Sequence, residues 1–293
     1  MDFLLRVNLS CFLLSYLVAF IAEVTQFART RTRALQTVVF VAALAGWLAH
    51  TAYLIARFQS TGLPPLVGSS HDWLLVLAWL GVSLLLLLTF GTKSSQGIFL
   101  LPVVVFLVLL AVTVDATPAS ADQAGPDRWW TMLHAGSLAV GIALVAASCG
   151  SALMYLLQYR KLHGRIPWVR RLRLPSLERL TAINYWLVLS CFPLLTIGLF
   201  TGFILAGSTS GSDRGPWQDP IVWATIIVWL MMTYNLIFLV RTRDQTGRMV
   251  ARRTLLAGAF LLVTIFGLTF VTGGIHQAVG AEQLDFVPDL KQP

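Results

Sequence analysis

Charge is scarce in this chain, and the scarcity decides its class. Only 13 acidic and 21 basic residues occur among 293, while 57% are hydrophobic. With a mean hydropathy of +0.75, so little polar surface cannot cover a water-soluble fold, and the composition is that of an integral membrane protein. Cysteine is equally sparse: Cys11, Cys149 and Cys191 lie inside apolar runs, with no C-x-x-C or C-x-x-C-H pattern. That excludes a disulfide scaffold, a thiol oxidoreductase and covalent haem attachment to this chain. Long polar stretches are missing too. The longest connection, residues 158–184, leaves no room for a soluble domain. Arg6 precedes an apolar stretch as in a signal peptide, but no small-x-small cleavage pattern follows, so the segment is read as a span.

What is present is a series of apolar runs. A helix needs roughly 20 apolar residues to cross a hydrocarbon core of about 30 Å. Eight runs qualify, at about 3–22, 35–56, 73–90, 98–114, 130–157, 185–206, 221–240 and 254–271. The expectation is an all-α, polytopic helix bundle forming a single membrane domain over residues 1–293. Sixteen of the 21 basic residues fall in the connections after the first, third, fifth and seventh runs, including Arg29, Lys93, Arg160, Arg170, Arg241 and Arg253. Asp72, Asp115, Asp127, Asp213, Asp219 and Asp285 fall on the opposite side. The positive-inside rule then makes the basic loops cytoplasmic and both termini external, and it reads the net charge of +8 as a loop signature with no nucleic-acid partner.

This topology sorts the histidines. His163 falls in a cytoplasmic loop, His71, His134 and His276 at the outer surface, and His50 in the outer half of the second span. His71, beside Asp72 at a loop end, reads as solvated. His50 reads either as a site residue or as a donor to a carbonyl of a neighbouring helix. Taken singly, His134 and His276 read as interfacial imidazoles hydrogen-bonded to water or lipid. As a pair on separate helices they have a second reading, since haem iron takes axial imidazole nitrogens. Trp73, Trp129, Trp130, Trp217 and Trp223 near the same boundary offer flat apolar surface, although tryptophan also belts membrane interfaces. Arg57, Arg128 and Arg214 on that side could pair with propionates.

The backbone pattern fits close helix approach. Pro193, Gly198 and Gly202 in one span, and Gly136, Gly141 and Gly150 in another, suit tight packing or a local kink. Gly273 and Gly274 suit a helix end that turns His276 back toward the bundle. Asp219 before Pro220 reads as a helix start, the carboxylate capping and Pro taking the first helical position.

Several of these stretches resemble the cytochrome c assembly membrane protein family, which includes the CcmC, CcsA and HemX-like proteins. The most specific is LPSLERLTAINYWLVLSCFPLLTIGLFTGFILA at 174–206, similar to the family's L-P-S-L-E-x-L segment leading into a Gly- and Pro-bearing helix. GWLAHTAYLIARF at 46–58, WWTMLHAGSLAVGIAL at 129–144 and TFVTGGIHQ at 269–277 stand in matching order around it. In that family an external tryptophan-rich segment, the WWD domain, is flanked by two haem-holding histidines. His134 and His276 match these by context, and His50 is similar to a histidine in an early span of CcsA-like members. The tryptophan segment departs from the pattern: only W-Q-D-P, residues 217–220, is recognisable, and Ile221 and Val222 stand where the family has Lys-Glu.

The resemblance implies a membrane component that holds haem b non-covalently at the external face and presents it to apocytochrome c, together with a second assembly subunit, in a bacterial inner membrane. His134 and His276 would be the iron ligands, and Trp217, Asp219, Trp223 and His50 would complete the site. Thioether formation would be chemistry between the haem vinyls and the partner's cysteines. The reduced tryptophan motif keeps a second expectation open, a HemX-like regulatory or scaffold protein of tetrapyrrole metabolism without catalysis. No inverted internal repeat supports a transporter.

Overall fold

The computed structural model describes residues 9–28, 32–92, 96–114, 116–117, 128–163, 174–208, 220–241, 247–261 and 263–264. Its helices run α1 (Leu9–Ala28), α2 (Arg33–Thr61), α3 (Pro65–Gly68), α4 (Ser70–Thr92), α5 (Gly97–Thr113), α6 (Arg128–Leu162), α7 (Leu177–Ser208) and α8 (Pro220–Arg241). A further helical stretch, α9, spans 247–261. No strand occurs among the described residues, so the fold is all-α as expected.

Among the described residues, five helices are long and apolar enough to cross a membrane: Leu9–Gln26, Arg33–Thr61, Ser70–Phe90, Trp129–Leu162 and Leu177–Leu205. Gly97–Thr113 and Ile226–Arg241 are apolar but shorter. At 1.5 Å per residue, the 35 residues of α6 extend about 52 Å, well past a hydrocarbon core of about 30 Å, and its last turn carries Arg160 and Lys161. Of the expected eighth span, 254–271, residues 254–261 and 263–264 are described and helical, and the rest lie outside the described residues. Large apolar side chains such as Leu14, Ile21, Leu87, Phe90, Phe200 and Leu230 point outward. In water that would be an aggregating surface, and around a bilayer-length bundle it is the lipid-facing one. The protein is an integral membrane protein.

Local sequence explains the helix ends. Thr32 accepts from Leu35 N–H at 3.3 Å and starts α2, and Gly62, at φ +67°, closes it with its N–H on the Phe58 carbonyl. Ser176, in the L-P-S-L-E segment, opens α7: its carbonyl accepts from Leu180 N–H and Glu178 follows in the first turn, where the helix dipole favours a carboxylate. Pro220 is the first residue of α8 as expected. The capping role expected for Asp219 lies outside the described residues.

Contacts show that successive helices alternate in direction. Tyr16 meets His50, Trp47 meets Ser83, Asp72 meets Arg57, His134 meets Gly198, and Thr196 meets Trp229. One end of the bundle therefore collects Arg160, Arg179, Arg241 and Arg248, and the other collects His71, Trp129, Trp130 and His134. Two apolar cores result. The larger joins α1, α2, α4 and α5, with Phe12, Leu75, Leu101 and Val104 fully enclosed, and reaches Ala139 and Ala147 of α6. The smaller joins α6 to α9 through Val145, Cys191, Leu195, Met232 and Ala257.

Candidate functional site

The candidate site is built on the α6–α7 pair. His134, Leu138 and Gly141 recur at spacings of four and three on one face of α6. They meet Gly202, Gly198 and Leu195 of α7 in reverse order. A Cβ at Gly198 would lie 2.5 Å from Leu138 Cδ2, one at Gly141 would lie 2.9 Å from Leu195 Cδ2, and one at Gly202 would lie 2.7 Å from His134 Cε1. The small residues thus let the imidazole lie directly on the α7 backbone. α7 remains helical through Pro193.

That contact orders the ring. His134 Nδ1 donates to the Gly198 carbonyl at 2.7 Å, while Thr201 Oγ1 shares its hydrogen between the Ile197 carbonyl at 2.7 Å and the Gly198 carbonyl at 3.0 Å. Because a carbonyl can only accept, Nδ1 carries the hydrogen and the lone pair sits on Nε2. This is the arrangement by which a second group fixes the tautomer and orientation of a metal-binding histidine. His134 is half-buried. Trp130 lies one turn earlier on the same face of α6.

The rest of this end is pinned by polar contacts. Arg57 gives Nε to Asp72 Oδ1 at 2.9 Å and Nη2 to Oδ2 at 3.0 Å, and Nη2 also reaches the Ala116 carbonyl at 2.9 Å. Nε and Nη2 of the guanidinium are therefore engaged with Asp72 and the α5 end, a pairing that the sequence reading of Arg57 did not include. His71 corrects an expectation: it is buried, not solvated, with Nδ1 on the Ala111 carbonyl at 2.7 Å. The end of α5 supplies that carbonyl, so the N-terminus of α4 is tied to α2 and α5 together. The short α3 sits under α6, with Leu66 Cδ1 3.7 Å from the position of a Cβ on Gly136.

His50 lies deeper. Its Nδ1 meets the Tyr16 hydroxyl at 3.2 Å, its ring stacks on Phe12 at 4.2 Å, and its Nε2 is enclosed with no partner. The expected carbonyl acceptor is replaced by a tyrosine. Beside it Trp47 and Trp79 form a reciprocal clasp between α2 and α4. Trp47 Nε1 donates to Ser83 and Trp79 Nε1 to Thr51, both at 2.8 Å, with the rings stacked at 5.9 Å. Sequence reading missed this clasp. The serine and threonine one turn beyond each tryptophan were its only signal.

Trp223 is half-exposed near the start of α8. Deeper in α8, Trp229 stacks on Phe192 and donates Nε1 to Thr196 at 2.9 Å, joining α8 to α7. Trp217, Asp219, Arg214 and His276 lie outside the described residues, as does the side chain of Arg128. Among the described residues no group of three or more His, Cys, Asp and Glu could hold a metal ion. An axial haem ligand needs no such group, because one imidazole lone pair per face suffices, and His134 fits that need.

With this geometry in hand, comparison with known proteins finds matches over most of the chain. The family model described as cytochrome C assembly protein matches residues 72–276. Protein HemX of Brevibacillus brevis is 25% identical over 237 residues, covering 78% of this chain and 83% of that protein. Cytochrome c biogenesis protein CcsA of Chlamydomonas reinhardtii is 24% identical over 235 residues, covering 76% of this chain and 63% of that protein.

Proposed function

Since this chain belongs to the cytochrome c assembly protein family, we propose that it acts in cytochrome c biogenesis by holding haem b at the external membrane face and presenting it to apocytochrome c. The carrying observation is His134, whose Nδ1 hydrogen is tied to the Gly198 carbonyl so that Nε2 is the nitrogen left for a ligand. His134 and His276 would hold the haem iron, with Trp217, Asp219 and Trp223 bordering the haem. His50 would join only if the Phe12 and Tyr16 rings packed on it moved aside.

When bound, haem would supply an iron for axial ligation and vinyl groups for thioether formation with a partner's cysteines. The chain's residues position it. The Gly198 carbonyl holds the His134 ring and raises its basicity, and Gly202 keeps the space beneath the ring clear. The Arg57–Asp72–Ala116 clamp and the His71 bond keep the neighbouring helix ends from splaying. The same reading takes eight spans with the basic loops cytoplasmic and both termini external, in a bacterial inner membrane, with a second assembly subunit completing the apocytochrome site. Alternating helix direction and the basic residues gathered at one end support that sidedness.

A haem-loaded preparation of the full chain should show a Soret band that His134→Ala and His276→Ala each remove. A colourless wild-type preparation with haem supplied would sink the proposal. The reduced tryptophan motif, with Ile221 and Val222 in place of Lys-Glu, favours a second reading, a HemX-like scaffold without haem delivery. That reading predicts the colourless result.

A further inference from the structure

One arginine stands on a face of the bundle that is otherwise lipid-facing. Along α9, Met249, Arg253, Leu256 and Phe260 recur at spacings of four, three and four, which puts them on one side of the helix, and the three apolar members are exposed. On α8, Leu230, Tyr234 and Ile237 recur at spacings of four and three and are exposed as well. The two stripes meet at Arg253. Its guanidinium carbon lies 3.8 Å from the Phe238 ring centroid and 4.8 Å from that of Tyr234, so two rings of α8 attract and hold the cation. Beside them Asn235 donates Nδ2 to Thr254 Oγ1 at 2.9 Å, which fixes α9 against α8 at this level.

What the cation lacks is an anion. Among the described residues no carboxylate pairs with Arg253, and its Nη1 has no hydrogen-bond partner. A half-buried guanidinium among apolar groups is costly unless an acceptor reaches it. Depth identifies the acceptor. Arg253 stands about 9 Å of helix rise beyond residue 247, and Phe238 stands within one turn of Arg241, the last residue of α8. That is one to two turns inside the basic end, the level of lipid phosphates, while Leu256, Phe260 and Leu230 continue toward the depth of the acyl chains. A phosphodiester offers paired oxygens to the fork of guanidinium N–H groups. Charge then selects the head. Residues 158–184 and 241–253 carry 12 Lys and Arg against Glu178 and Asp244 alone, so this end is cationic whichever of them lie nearest. An ammonium head beyond the phosphate would meet that positive charge, whereas a glycerol head leaves the lipid anionic and is drawn to it.

We propose that Arg253, held by Tyr234 and Phe238, binds the phosphate of one anionic phospholipid whose chains lie along the exposed stripes of α8 and α9. The test is thermal unfolding of the delipidated full chain in detergent with short-chain phosphatidylglycerol, phosphatidylcholine of the same chains, or free glycerol phosphate. At a hundredfold excess over the dissociation constant, phosphatidylglycerol should raise Tm by about 5 °C, and the choline lipid and glycerol phosphate should not. Arg253→Gln should lose the shift. Arg252→Gln removes the same charge from an exposed neighbour and should keep it. Equal losses in the two variants would show that bulk charge alone draws the lipid and would overturn the site, as would equal shifts with both lipids or an undiminished shift in Arg253→Gln. An equal shift with glycerol phosphate would overturn the lipid as its source. Should Arg253→Gln fail to fold, Phe238→Leu keeps the charge and removes the nearer ring: it should at least halve the shift, and an undiminished shift would count against the proposal. Native mass spectrometry gives a second readout, in which wild type should retain phosphatidylglycerol over phosphatidylcholine and equal retention would contradict the site. Neither readout depends on haem.

Discussion

His71 and His134 each give an Nδ1 hydrogen to a main-chain carbonyl of a neighbouring helix at 2.7 Å, and in both the lone pair is left on Nε2. They differ in their surroundings. In the α1–α5 half, Phe12 and Tyr16 pack on His50, and the Nε2 atoms of His50 and His71 are enclosed without partners. In the α6–α7 half, glycines bring the backbones together and leave the His134 ring resting on α7 and only half-buried. The comparison teaches that tautomer control alone does not make a ligand. A histidine that helps lock helix ends together is sealed by that role, whereas one laid on a glycine stripe at a helix end is oriented and only half-buried.

The sharpest way to break the locked half is Arg57→Leu. It strands Asp72, whose side chain is 2% exposed, as a buried charge without its pair. The expected cost is about 3 kcal/mol, at the low end of the range for a broken buried pair because the guanidinium is itself partly exposed. Chemical or thermal unfolding should show Arg57→Leu/Asp72→Asn recovering part of the loss, because the second change removes the stranded charge. A double variant no better than the single would show that the pair's charges do not set the cost.

In the open half the corresponding break is Gly202→Val. Its side chain would enter the His134 ring and push it off the Gly198 carbonyl. Overpacking of this kind costs about 1–3 kcal/mol. Haem retention at fixed haem concentration should fall with it, while Gly136→Ala, whose added Cβ meets only Leu66, at 3.7 Å, among the described residues, should leave retention unchanged. A smaller effect is expected at the tryptophan clasp. Trp47→Phe keeps the stack on Trp79 but loses the bond to Ser83, for about 0.5–1.5 kcal/mol in unfolding and no change in haem retention.

How much of this was legible follows from where the information sits. The helices could be read because run length and hydropathy are local properties, but the start of α7 at Leu177 was not, since the apolar run was read only from residue 185. The α6–α7 contact could also be read in outline, because Gly198 and Gly202 recur at one-turn spacing in an otherwise bulky segment. The Arg57–Asp72 pair was not legible because Asp72 lies across the turn that carries α3, a four-residue helix with no period to betray it. His71 was misread because its acceptor is a backbone carbonyl forty residues away at the end of α5, and carbonyls leave no mark in a sequence. The Trp47–Trp79 clasp escaped for a related reason, since each half looks like an interfacial tryptophan until the other helix is beside it. Trp217, Asp219 and His276 stay as they were read, since they lie outside the described residues.

The comparison between the sealed and the open imidazoles reduces to one measurement, the visible absorption spectrum of the full chain supplied with haem, recorded for wild type, His134→Ala and His50→Phe. Wild type and His50→Phe should show the same axially ligated Soret band, since Phe fills the space beside Phe12 and takes no ligand away from the haem, and His134→Ala should lose it. A band that survives His134→Ala unchanged, or that disappears with His50→Phe instead, would contradict the account.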